Sequence, residues 1–147
     1  PWAPALSYRF ASFGGGENRS FDPLFGGLSE WGSWFQGELL GEFVLPNSNL
    51  DSHMVRLALR PHEGVELFLL YFKFLLSDRF QSFGPVPKRV ASSALADEVD
   101  VILQVTPASW WSAVVELDVA IPDDGFREAV GGSATWLGSK VYLRFHF

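Results

Sequence analysis

The chain has 147 residues, a length suited to one domain, with 48% hydrophobic residues, 16% aromatics and a formal net charge of -6. The negative balance argues against nucleic acid as a partner, because phosphate binding needs a basic face. No stretch reaches the roughly 18 to 20 uninterrupted apolar residues of a membrane-spanning helix; the densest run, Val65 to Leu76, is broken by Glu66 and Lys73. If lipid is involved, strands must do the crossing. Cysteine is absent, which suits an oxidising route that avoids stray disulfides and equally suits the cytosol.

Six strands are predicted in chain order. Residues 5–13 alternate Leu6, Tyr8 and Phe10 against Ser7 and Arg9. After a long segment, residues 53–60 set Val55, Leu57 and Leu59 against Met54, Arg56, Ala58 and Arg60, and residues 61–64, with Pro61 and Gly64, make a tight turn. Residues 65–76 place Phe68, Leu70, Phe72, Phe74 and Leu76 on an oily face, with Tyr71 and Lys73 opposite. A loop through Gly84, Pro85 and Pro87 follows. Residues 95–105 oppose Val99, Val101, Leu103 and Val105 to Glu98, Asp100 and Gln104, and residues 106–109 turn the chain. Residues 110–121 oppose Trp111, Ala113, Val115, Leu117, Val119 and Ile121 to Ser112, Glu116 and Asp118. The last strand, 135–147, sets Leu137, Val141, Leu143, Phe145 and Phe147 against Trp136, Lys140, Tyr142, Arg144 and His146. A seventh strand within residues 31–44 is a weaker reading, since it would upset the alternation of short and long connections.

A period of two with one oily and one charged face is the pattern of a strand between lipid and water. Strands of about nine to thirteen residues suit a tilted bilayer crossing, and short turns on one side with long loops on the other match outer-membrane barrels. The expected fold is therefore all-β: an antiparallel transmembrane β-barrel of which residues 1–147 supply about six strands as one segment. Single-chain bacterial barrels begin at about eight strands, and an open sheet edge in hydrocarbon costs several kcal/mol per unpaired group. This chain is thus expected to be the C-terminal part of a larger barrel domain, closed by its remaining N-terminal strands or by another chain. Leu57, Phe72, Val101, Leu117 and Leu143 are expected to face lipid, and Arg56, Lys73, Asp100, Asp118 and Arg144 the interior.

Two resemblances sharpen this expectation. The alternating strand that closes on Phe145 and Phe147 resembles the C-terminal signal by which the barrel-assembly machinery recognises bacterial outer-membrane proteins. The block Phe21-Asp22-Pro23-Leu24-Phe25-Gly26-Gly27-Leu28-Ser29, with Trp31-Gly32, Trp34, Gln36-Gly37-Glu38, Asn47-Ser48-Asn49-Leu50, Ser52-His53 and Val55-Arg56-Leu57, resembles the alginate-export family of outer-membrane proteins. Tyr8-Arg9-Phe10-Ala11-Ser12-Phe13 is similar to the strand preceding that block there. The resemblance spans residues 5 to 60 closely and the remainder by pattern. It implies a large monomeric barrel in the outer membrane, a polar, arginine-lined lumen, an extracellular loop after the matching strand, and a polyuronate as the exported polymer.

Collected by parity, the wet face carries Arg9, Arg56, Arg60, Lys73, Lys140 and Arg144 on the first three strands and the last, and Glu98, Asp100, Glu116 and Asp118 on the fourth and fifth. Opposite charges would then pair across neighbouring strands at two seams, which by itself only stabilises a wall. Functionally, the same set makes a transverse field, along whose arginine side an anionic polymer would track through many weak contacts.

Enzyme chemistry finds no support. Gly14-Gly15-Gly16 lacks the following lysine of a phosphate loop, His53, His62 and His146 have no metal-ligand spacing, and no Gly-x-Ser-x-Gly elbow occurs. Glu116 and Asp118 share a face as lumen-lining carboxylates rather than as an acid/base dyad. Trp136 and Tyr142 are candidates for an aromatic slide for sugars. No cofactor or metal is expected. Two alternatives to export stand: a general porin or an outer-membrane scaffold holding a periplasmic partner, and a soluble small β-barrel binding protein with its oily faces turned inward.

Overall fold

The structure, a computed structural model, describes residues 2–15 and 36–146. Its elements run β1 (Ala5–Phe13), α1 (Leu40–Phe43), β2 (Leu50–His62), β3 (Val65–Leu76), β4 (Phe80–Gln81), β5 (Lys88–Arg89), β6 (Ala94–Ala108), β7 (Trp111–Pro122), α2 (Asp124–Val130) and β8 (Trp136–Phe145). Six strands form one antiparallel sheet in the order β1-β2-β3-β6-β7-β8, and β4 pairs with β5 inside the β3–β6 connection. The expected all-β fold and its six main strands are therefore present. Closure is not: β1 and β8 form the two edges of the described sheet and do not pair with each other.

Two-residue turns at 63–64 and 109–110 join the strands at one end, and at the other lie the long connections 77–93 and 123–135, with residues 36–49 leading into β2. Of the residues proposed for a seventh strand, 31–35 lie outside the described residues. The rest form a turn and the single-turn α1. Phe147, expected to carry the assembly signal, also lies outside the described residues, whereas Phe145 ends β8 on its outer face, 52% exposed.

The two faces of the sheet differ as the alternation demands. Residues from all six strands border one open groove of about 750 Å³, so the face they share is concave. On the convex face, register aligns apolar side chains into rows. Leu59, Leu67, Leu103, Val115 and Val141 make one; Leu6, Leu57, Leu69, Val101 and Leu117 the next; Tyr8, Val55, Tyr71, Val99, Val119 and Leu137 a third. The following row is polar at its centre, running Phe10, His53, Lys73, Asp97 and Ile121. From Val65 to Tyr71 the apolar belt spans roughly 20 Å along the strand, at about 3.3 Å per residue. Trp110, Trp111 and Phe145 pack together at the turn end.

Strand β3 corrects one expectation. Phe68, Leu70, Phe72, Phe74 and Leu76 face the concave side, with Phe72 and Phe74 at 0% exposure, and Lys73 faces outward. Both parities of β3 are apolar, so its pattern alone does not choose a face; pairing of Arg56 with Leu70 and Met54 with Phe72 does. The oily inner side is needed because the long connections fold over the concave face at their end. There Leu40, Leu45, Val90, Phe126 and Ala129 bury against Leu50, Phe72, Phe74, Leu76, Leu95, Ala96 and Ala120. Helix α2 starts at Asp123, whose side chain accepts from the Asp124 N–H, and stops at Gly131 with φ 76°, a left-handed angle that glycine adopts without a steric penalty.

Candidate functional site

The concave face supplies the candidate site, and the sheet sorts its charges by strand. Arg9 on β1 and Arg56 on β2 stand on one side, β3 interposes Phe68, Leu70 and Phe72, and β6 and β7 carry Glu98, Asp100, Glu116 and Asp118. Lys140, Tyr142 and Arg144 follow on β8. The Arg56 guanidinium lies 4.5 Å from the centre of the Phe68 ring, a cation–π contact that holds its plane beside the groove.

Lys73 leaves this set. Its Nζ bonds Asp97 Oδ2 at 3.0 Å and Asp123 Oδ2 at 2.7 Å on the convex face, and the Tyr71 hydroxyl donates to Asp97 Oδ1 at 2.6 Å. Of the two seams of opposite charge expected on the inner face, the one beside β3 therefore forms on the outer face, with Asp97 as the acid. The other forms as expected, with Lys140 Nζ 3.2 Å from Glu116 Oε2 across β7–β8. Arg60 sits within the register shift between Leu59 and His62 and pairs with Glu66 at 2.7 Å, at the turn end.

The acidic strands are the most buried part of the face: Glu98 and Asp100 are 0% exposed, Glu116 and Asp118 2%. Asp100 and Asp118 stand directly opposite each other, and neither carboxylate oxygen of Asp118 has a hydrogen-bond partner. Two buried carboxyl groups opposed in this way cannot both carry charge without cost to the ladder.

Residues 36–45 lie across the concave face as a strap that sequence reasoning did not assign. The Glu98 carboxylate accepts from two successive backbone N–H groups, Leu39 at 2.9 Å and Leu40 at 2.7 Å, and Asp100 Oδ2 accepts from the Glu38 N–H at 3.3 Å. Gly37, at φ 96°, seats the turn so closely on Glu98 that a Cβ there would strike the carboxylate. On the other side of the strap Lys140 Nζ reaches Glu38 Oε2 at 2.6 Å and Glu42 Oε2 at 2.7 Å. Burial holds the Glu38 carboxyl above its ordinary range, and the hydrogen bond from Lys140 pulls it the other way. Tyr142 donates to Glu116 Oε1 at 2.9 Å and accepts from Arg144 at 3.0 Å, so it is committed to the charged network. Trp136 stands edge-on to Phe126 at 5.7 Å, part of the packing at the loop end. The two rings of the proposed aromatic slide are thus not brought together.

The sequence held one signal for the strap: Glu38 and Glu42, four apart beside Gly37 and Gly41, are acids in a segment with no strand alternation. Among the described residues no group of three or more His, Asp or Glu is placed to hold a metal. No helix among them is long and apolar enough to cross a membrane, which says nothing of strands. Comparisons with protein-family models, with curated proteins and with solved structures give no match to this chain.

Proposed function

We propose that this chain forms part of the wall of a bacterial outer-membrane β-barrel channel, with the concave face toward a water-filled passage for an anionic polysaccharide of the polyuronate type. The observation that carries the proposal is the contrast between the faces. Rows of exposed apolar side chains, Leu6 and Leu137 among them at 75% and 78%, cover the convex side and give way to the polar row at Lys73 and Asp97. Charged side chains and a groove occupy the concave side. An apolar patch this extended marks contact with lipid or another apolar partner. A soluble small barrel would need the opposite packing on β1, β2, β6, β7 and β8. Because β1 and β8 are the edges of the described sheet, the proposal includes further strands, from the same or another chain, that complete the wall.

The choice of anion rests on Arg9, Arg56 and Arg144, whose planar guanidinium groups bind carboxylates through paired hydrogen bonds, and on the family resemblance of the segments holding Arg9 and Arg56. Purified protein that is monodisperse without detergent would reject the membrane reading outright. In planar bilayers, Arg9→Glu with Arg56→Glu in the full-length protein is expected to move the reversal potential toward cations and to reduce uronate-polymer passage, with the folded barrel retained. Unchanged selectivity would leave these arginines as structural partners. It would favour a porin or scaffold barrel, a reading to which the strap across the concave face also lends support.

A further inference from the structure

We infer that residues 36–45 form the selectivity element of the passage and that Lys140 sets the charge this element presents. The inference rests on the channel reading above and adds to it a second charged wall.

Three observations lead to it. The strap is fixed rather than draped, because Glu98 and Asp100 accept its backbone N–H groups from Glu38 to Leu40 and Leu40 is 1% exposed beneath it. Its acids lie at the open space, since Glu38 and Glu42 border the same groove as Arg9 and Arg56. Finally, both acids meet a single cation: Lys140 lies within 3.2 Å of Glu38, Glu42 and Glu116, three carboxylates to one ammonium. A solute in the groove therefore passes between arginines on one side and acids partly neutralised by one lysine on the other. Charges in a narrow passage bordered by protein are screened less than those on an open surface, so one ammonium weighs heavily there.

Without Lys140, the acids of the strap and of β7 lose their common partner. They repel one another and confront the passage as uncompensated negative charge. In the full-length protein in planar bilayers, Lys140→Gln is expected to shift the reversal potential toward cations and to raise conductance as the strap loosens. Glu38→Gln with Glu42→Gln should shift it toward anions. Combining all three substitutions should bring selectivity back toward the parent, which a merely structural lysine would not do. If Lys140→Gln fails to assemble, the near-isosteric double glutamine variant and Lys140→Arg, expected to keep parental selectivity, still decide the matter. Channels whose selectivity ignores the double variant would overturn the role of the strap and leave the wall reading standing. A parent protein that forms no channel would overturn both.

Discussion

Lys73 and Asp123 meet at 2.7 Å just beyond the last apolar row of the convex face, and Asp123 also caps α2. The hydrogen bond from Lys73 holds the Asp123 carboxyl below its ordinary range. With the folded value below the unfolded one, the pair's contribution is complete above the ordinary aspartate value of about 4 and is lost as the pH falls through the lowered folded value. Both side chains are partly solvated, so the pair contributes at most about 0.5–1 kcal/mol. Asp123→Asn removes the charge and keeps a capping oxygen; its cost in urea titrations of the folded protein at neutral pH should be about 0.5 kcal/mol and should vanish in acid. Asp123→Ala loses both roles, at about 1–2 kcal/mol, and only part of that cost is acid-sensitive.

At the scale of elements, alternation was enough where the two parities differ in chemistry. The limits of β1 and β3 follow from it directly, as do the faces of β6, β7 and β8. It misled on β3, where Phe72 and Leu69 are equally apolar: the expectation that Phe72 faces lipid and Lys73 the interior is reversed, because pairing with β2 selects the side. Cysteines at Phe72 and Lys73 test that selection: a water-soluble thiol reagent added to the folded protein is expected to modify Lys73→Cys and to spare Phe72→Cys. The strap was illegible for a different reason. Its position depends on Glu98, a carboxylate 58 residues beyond Leu40 that reads in the sequence as one more wet-face charge. Gly37→Ala probes it, because the added methyl meets Glu98 and the left-handed backbone is strained by about 1 kcal/mol. A glutamate-specific protease should then cleave after Glu38 or Glu42 faster than in the parent. Gly131→Ala, at φ 76° in open space, carries the strain alone and should leave the strap protected.

For the whole molecule the convex belt makes the most general prediction. Leu69 lies in the second of the rows described, with apolar neighbours above and below. On the membrane reading, Leu69→Arg should cost about 2–4 kcal/mol for folding into bilayers, whereas Ile121→Arg, in the polar row, should cost about 0–1 kcal/mol. Equal penalties at the two positions, measured by urea titration in vesicles, would show that the belt does not follow membrane depth.

If the sheet is part of a channel wall, its described edges β1 and β8 also bear on how that wall comes into being. Within the main sheet, successive strands pair in chain order, so each pairing closes only the connection between them, two residues at its shortest. Local pairings of this kind are fast, since little chain entropy is lost before contacts repay it. On the channel reading, joining β1 and β8, the edges of the described sheet, to whatever completes the wall is a different event, non-local or intermolecular. Until that event the sheet is a template for unwanted strand addition. On that reading the slow, hazardous step is the final seam rather than the growth of the sheet, and a catalyst of assembly would act there by guarding two edges at once.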